Sequence, residues 1–307
     1  MTGAERHVTV VHMTSVRAQQ HEIMIKNTKK PFHSSALCVL ALACLFCHAC
    51  KMKVKPTPEQ AAFEQADRQV WSPVLTDSCI GDWTGQWFLD GLVGSVTNSA
   101  RGMELHAGPV YKNDAHHMVL WTKKTFEGDL RIDYDFTRLD TSTNGVCILY
   151  IEATGSGEKP YLKDITAWNE LRRVPSMDMY FAHMNAYHIS YATPIIKESN
   201  FISYIRGRRY MPTEKTLKGT ALEPDYEVTG LFGTGVPHRI IVIKTDRDLY
   251  MKVSNGVQTN YFHMVNEALP IVTEGRIGLR QMYTRASVYK NFNISAPVQL
   301  KPKEKTE

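Results

Sequence analysis

The chain has 307 residues, 43% hydrophobic and 22% charged, and a formal net charge of +5. That balance excludes a disordered or low-complexity protein and supplies one ordinary globular core with an appendage. Part of the basic excess lies in the leader and tether, so net charge by itself is no argument for nucleic acid as a partner.

Residues 1–23 carry no periodic pattern and read as an over-extended start. From Met24 onward Lys26, Lys29 and Lys30 precede an apolar run, Ala36 to Phe46, that is too short to stay in a bilayer as a spanning helix. Residues 24–50 are therefore expected to be an export signal. Four of the six cysteines, Cys38, Cys44, Cys47 and Cys50, fall in it, and Cys50 stands between Ala49 and the polar, basic KMKVKPTPEQ. This resembles a bacterial lipoprotein cleavage site, with lipidation at Cys50 and a periplasmic or cell-surface product held to the membrane by its lipid alone. An ordinary cleaved signal, or cleavage at Cys44, is the alternative. An exported protein seldom meets nucleic acid, which argues against that partner.

Residues 51–69 read as a charged tether with Pro56, Pro58 and a short helix-compatible run, PEQAAFEQADRQV. Residues 70–298 show no low-complexity break and form one domain, and residues 299–307 are a charged tail. Cys79 and Cys147 could pair in an oxidising compartment or remain buried free thiols.

Within the domain the dominant period is two. Leu130, Ile132, Tyr134 and Phe136 alternate with Arg131, Asp133, Asp135 and Thr137, the pattern of a half-buried strand. Val146 to Glu152 is apolar enough for a central strand. His238 to Lys244 and Asp248 to Val253 form a hairpin-like pair, and Gly275 to Tyr283 and Val288 to Ile294 are the closing strands. The fold class expected is all-β, a sandwich or jelly roll. Asp164 to Ala182 is the exception: Trp168, Leu171 and Arg172 sit at helical spacing ahead of Pro175, which predicts one or two helical turns in a long loop over the sheet.

Met179 to Pro212 concentrates the chemistry. It holds three aromatic-rich segments, His183, His188 and the cluster Arg206, Arg208 and Arg209. Arginine offers a planar fork of donors suited to carboxylate or sulfate, and tyrosine and histidine offer flat faces and proton-transfer groups. Parity puts His188 and Ser190 on one strand face, opposite Tyr187, Ile189 and Tyr191; it groups Ile148, Tyr150 and Glu152, and Arg276, Arg280 and Met282.

The C-terminal half, HRIIVIKTDRDLYMKVSNG followed by EGRIGLRQMYTRASVYKNFNI, resembles the concanavalin-A-like lectin/glucanase superfamily. MVLWTKKTFEGDLRIDYDFTRLD, CILYIEATGSG, AYHISYA and YIRGRRYMP resemble a bacterial family of unknown function that includes the YesU-like proteins associated with pectin breakdown. The resemblance runs from about Trp71 to Ser295. It implies a β-sandwich (jelly roll) of two curved antiparallel sheets with a concave face for a sugar chain, a poly- or oligosaccharide partner, and a structural calcium bound through scattered backbone oxygens, as in other members of the superfamily. No cofactor is otherwise implied.

The residues available narrow the chemistry. A retaining glycosidase needs two carboxylates about 5 Å apart, and the Glu-x-Asp-x-x-Glu strand of the glucanase branch is missing. Asp133 and Asp135 fit a solvated outer face equally well, which leaves Glu152, with a partner from another strand, as the hydrolytic candidate. β-Elimination from an acidic polysaccharide instead needs a group that neutralises the uronate, a base and an acid. The expectation is a polysaccharide lyase in which His188 and Tyr191 move protons. Arg206, Arg208, Arg209, Arg280 and Gln281 would hold the acid group, and Tyr204, Trp121 and Trp168 would contact sugar. Alginate lyases of jelly-roll architecture use this combination, although their motifs are absent here. Hydrolysis through Glu152 and a non-catalytic carbohydrate-binding module are the alternatives. Trp121 and Trp168 also fit a core, His188 a structural hydrogen bond, and His116–His117 a loop.

Overall fold

A computed structural model describes residues 55–193, 195–197 and 200–298. The start at 1–23, the export signal, Cys50 and the tail from 299 lie outside the described residues. Two antiparallel sheets stack face to face. Their strands are β1 (Trp71–Asp77), β2 (Trp87–Asp90), β3 (Ser95–Ser99), β4 (Gly102–His106), β5 (Met118–Thr122), β6 (Phe126–Glu127), β7 (Leu130–Arg138), β8 (Cys147–Gly155), β9 (Met184–Tyr191), β10 (Ile195–Lys197), β11 (Asn200–Tyr210), β12 (Ala221–Thr229), β13 (Pro237–Lys244), β14 (Leu249–Ser254), β15 (Thr259–Met264), β16 (Glu274–Gln281) and β17 (Ala286–Pro297). Sheet A has the order β15-β14-β13-β7-β17-β4-β3, with β1 also on β17. Sheet B has the order β10-β11-β9-β8-β16-β5-β2, with β12 on β11 and β6 on β16. The expected jelly-roll sandwich of two antiparallel sheets is what the chain forms.

Period-two patterning explains which face each strand buries. In β7, Leu130, Ile132, Tyr134 and Phe136 enter the core between the sheets with Leu149, Ile189, Val242 and Leu279. On the outer side, Asp133 and Asp135 meet Arg239, and Asp133 also meets Arg131 at 2.6 Å, so both acids belong to an ion-paired outer face. Cys79 and Cys147 are buried free thiols and do not pair; the Cys147 thiol donates to Gln281 Oε1 at 3.2 Å.

Part of the expected tether is folded. Helix α1 (Pro58–Asp67) has Pro58 in its first turn and is capped by Thr57, whose hydroxyl accepts from the Gln60 N–H at 3.2 Å. Its one buried side chain, Phe63, meets the Tyr261 ring edge-on at 5.5 Å, and Asp67 pairs with Arg131 at 2.8 Å. The helix is docked because Phe63 is apolar and sheet A offers it an aromatic partner.

The predicted helical loop exists as a 3-10 segment, Ile165–Arg172, and helix α2 (Met177–His183). Ile165, Trp168, Arg172 and Tyr180 are buried beneath it, against the second face of sheet B. This segment covers the part of the molecule where the candidate site lies.

Candidate functional site

Cross-strand register builds the covered face of sheet B. Phe88, Trp121, Gly278, Tyr150, His188 and Arg208 are successive partners across β2, β5, β16, β8, β9 and β11. Asp90, Val119, Arg280, Ile148, Ser190 and Arg206 form the next row. Glycine at 278 is required by close approach, since a Cβ there would run into the Trp121 ring. Trp121 can therefore lie flat over β16 and stack on Tyr150, with ring centroids 5.3 Å apart and 20° between planes.

At one end of the face a single carboxylate organises the cover. Asp90 accepts from Trp121 Nε1 at 2.7 Å, Asn169 Nδ2 at 2.6 Å, Arg172 Nε at 2.5 Å and the Tyr180 hydroxyl at 3.0 Å. Arg172 also lies over the Trp168 ring at 4.2 Å. Both ions of the Asp90–Arg172 pair are buried, so the remaining lone pairs have to be used, and they are.

The centre of the face is the opposite case. Tyr150 Oη, Tyr210 Oη, His188 Nδ1 and Arg280 Nε and Nη1 are buried without a well-formed hydrogen bond among the described residues; the two phenols and Arg280 interact at most through weak, poorly aligned contacts with one another. Each such atom costs about 1–3 kcal/mol, which is an unusual concentration for a packed interior. Tyr210 is 5.0 Å from the His188 ring and 5.9 Å from the Tyr150 ring, centroid to centroid. His188 Nε2 shares a 2.5 Å hydrogen bond with Ser190 Oγ. Arg280 donates from Nη2 to the Pro175 carbonyl at 2.6 Å and to His117 Nδ1 at 2.8 Å, and none of its partners is a carboxylate.

Burial sets the protonation states. It holds His188 well below the usual imidazole range, helped by the charges of Arg208, Arg280 and Arg206. Burial also pushes Tyr210 well above the usual phenol range, with Tyr150 adding to the effect, and raises Tyr150 against the opposing charge of Arg280. His117 falls to about 3, by burial first and Arg280 second. The centre thus holds a neutral imidazole, two protonated phenols and a guanidinium. Beside it Arg208, Arg206 and Tyr204 remain partly exposed; Arg206 lies over the Tyr204 ring at 4.7 Å and pairs with Asp225 at 2.6 Å.

Of the residues expected from sequence, this face brings together His188, Tyr204, Arg206, Arg208, Arg280 and Trp121. Trp121 is closed off as an exposed sugar platform by Tyr150 and Tyr180, which stack on it. Trp168 belongs to the cover, buried and bonded through Nε1 to the Leu162 carbonyl at 2.9 Å.

Four expectations are corrected. Tyr191 points between the sheets, where its hydroxyl meets Tyr134 at 3.2 Å and Tyr289 at 3.0 Å, on the strand face opposite His188. Gln281 is also in that core, donating to the Tyr289 hydroxyl at 3.0 Å. Arg209 alternates with Arg208 and lies on the other side of β11, beneath Pro270. Glu152 leaves the Tyr150 row because β8 bulges after Ile151; its φ of 53° turns the side chain into the core, where it pairs with Lys244 at 2.7 Å.

Tyr150, Tyr210, Asp90 and His117 were not predicted as site residues. Tyr150 had a usable signal, its two-residue step from Ile148 opposite the His188 strand, and Tyr210 ends the basic run at the parity of Arg208. Asp90 and His117 had none, because only the cover and the neighbouring strand bring their partners to them. Among the described residues no three His, Cys, Asp or Glu side chains are grouped to hold a metal ion.

Residues 80–294 match the family model described as a domain of unknown function (DUF1961). The uncharacterized protein YesU of Bacillus subtilis (strain 168) is 23% identical over 230 residues, 74% of this chain and 95% of YesU. Among solved structures, a Bacillus subtilis protein of unknown function with a galectin-like fold superposes with a TM-score of 0.54 at 17% identity, over 74% of this chain and 100% of that one. A legume lectin-like domain from Entamoeba histolytica gives 0.50 at 6% identity, over 74% and 99%. With the family model spanning most of the sandwich, this chain belongs to the DUF1961 family, a YesU-like family on a concanavalin-A-like fold.

Proposed function

We propose that this protein binds an acidic oligo- or polysaccharide on the covered face of sheet B and cleaves it by β-elimination. The observation that carries the reading is the set of buried polar groups on Tyr150, Tyr210, His188 and Arg280 that lack a well-formed hydrogen bond, on the face that the partly exposed Arg206 and Arg208 adjoin. A uronate carboxylate is the partner that Arg280 lacks, and neutralising it makes the neighbouring C–H acidic. When His188 donates from Nε2 to Ser190, its Nδ1 carries a lone pair and can take that proton. Tyr150 or Tyr210, protonated at neutral pH, can give one to the departing glycosidic oxygen. These two phenols replace Tyr191 in the acid's role. Hydrolysis through Glu152 loses support, since its carboxylate is committed to Lys244 away from this face. Export and lipid anchoring at Cys50 remain part of the proposal and rest on the leader alone.

Burial favours a second reading. Tyr150 and Tyr210 are wholly covered and His188 is only 3% exposed, so a module that grips sugar on the partly exposed Tyr204, Arg206 and Arg208 without turnover fits the same surface. The full chain incubated with a panel of uronate-containing polysaccharides separates the readings. Elimination predicts near-ultraviolet absorbance rising together with reducing ends, and a loss of about a hundredfold or more in His188→Ala. Reducing ends without absorbance would overturn elimination. Saturable binding with neither signal, weakened in Arg208→Gln, would establish the binding module.

A further inference from the structure

At the end of sheet B where β9 begins and β11 ends, a separate groove of about 430 Å³ is lined by Lys159, Tyr161, His183, Asn185, Arg209 and Lys215 among others. Its wall holds a second arginine without a counter-charge. Arg209 is 3% exposed. Its Nε donates to the Pro270 carbonyl at 2.7 Å, its Nη2 to Asn185 Oδ1 at 3.2 Å and its Nη1 to the Tyr210 carbonyl, with the Tyr187 ring 6.0 Å away. These partners are neutral, and no carboxylate among the described residues lies within ion-pair distance of it. A cation buried against neutral oxygens alone is costly, and an anion is the usual remedy.

The rest of the lining fits such an anion. Lys159 and Lys215 are exposed at the rim, with Glu158 as the carboxylate beside them. Tyr161 and His183 stack at 3.6 Å with 12° between planes, giving a flat aromatic wall. Burial first, and Lys215 second, hold His183 below the usual imidazole range, so at neutral pH it serves as a neutral ring and an arriving anion would raise its titration.

We propose that this groove is a second anion site, taking the carboxylate or sulfate of an acidic sugar, with Arg209, Lys159 and Lys215 supplying the charge and the Tyr161–His183 stack a face for the ring. It is independent of the chemistry at His188, because Arg209 and Arg208 sit on opposite sides of β11. The test uses the full chain and three probes, glucuronate, inorganic sulfate and uncharged glucose, read through the His183 ring signals by NMR. Glucuronate or sulfate should shift those signals saturably and raise the pH at which His183 titrates, while glucose should not. Tighter glucuronate would assign a carboxylate ligand, and tighter sulfate a sulfate ester. The variant Lys159→Gln/Lys215→Gln, which alters only exposed side chains, should weaken binding at least tenfold, and Arg206→Gln, whose partner Asp225 lies outside the groove, should leave the His183 response unchanged. The site is overturned by His183 signals that stay fixed with both anions, by glucose acting as well as glucuronate, by a double variant that binds like the parent, or by loss of the effect in Arg206→Gln.

Discussion

Glu152 and Lys244 come from different sheets and meet 2.7 Å apart, with Lys244 also donating to the Gly128 carbonyl at 2.9 Å. Gly275 makes room for them: its φ is 146°, and a Cβ there would collide with the Glu152 backbone. Such a pair is strongly coupled, since removing one partner strands the other as a buried charge. Lys244→Met or Glu152→Gln alone should each cost about 3–5 kcal/mol, while the double variant should recover most of that loss. Urea denaturation of the four proteins checks it; additive losses would mean that the two side chains do not depend on each other. The role of Glu152 was hidden in the sequence for a local reason. Parity holds while a strand stays regular, and Glu152 falls at the bulge, whereas His188, Ser190 and Tyr191 lie in a regular stretch and take the faces their alternation predicts.

At the scale of elements, the cover over sheet B depends on Asp90. The 3-10 segment Ile165–Arg172 and helix α2 are short, and isolated segments of that length do not hold together in water; Asp90 ties both through Arg172, Asn169 and Tyr180. Asp90→Asn removes the charge facing Arg172, so amide protection in residues 164–183 should collapse while β8 and β16 stay protected. Hydrogen exchange reads this directly, and equal loss across the sheets would show that Asp90 supports the whole sandwich instead. Much of this arrangement was legible: the spacing of Trp168 and Arg172 indicated the helical turns, and both side chains are buried as that spacing requires. Leu171, counted with them, is 45% exposed, because a 3-10 turn rotates it away from the sheet. Which face of sheet B lies under the loop was not legible, since parity treats the two faces alike and only the packed segment distinguishes them.

For the whole molecule, buried histidines set the response to acid. His117, His188 and His238 are all held neutral, with burial the leading cause in each. His238 shows the structural form of this, its Nδ1 bonded to the Val236 carbonyl at 2.8 Å and its Nε2 accepting from the Phe232 N–H at 2.8 Å. A depressed imidazole contributes stability that is present above the unfolded value, about 6.5, and is lost as pH falls through the folded value, at up to about 1.4 kcal/mol per pH unit. Glu152 acts in the other direction: burial raises it to about 7, so its contribution is present below the unfolded carboxyl value and lost as pH rises through about 7. With His183 also held low, four imidazoles oppose the two carboxyls that burial raises, Glu152 and Asp129, and the urea midpoint should drop between about pH 7 and about pH 5. His117→Gln should make that drop shallower, and a midpoint that stays flat would mean that the folded protein carries these imidazoles charged.

The two last strands bear on when such a fold can exist at all. β16 sits between β8 and β5 in the middle of sheet B, and β17 sits between β7 and β4 in the middle of sheet A. Neighbours in sequence, they occupy the centres of opposite layers, so a nascent chain that has not reached Gly275 lacks the middle of both sheets. Until the ribosome has finished nearly the whole domain, β5, β8, β7 and β4 present open edges to the solvent and to chaperones. The sandwich therefore closes only once both strands are available, and removing the whole of β17, Ala286–Pro297, takes away a partner from β7, β4 and β1 together.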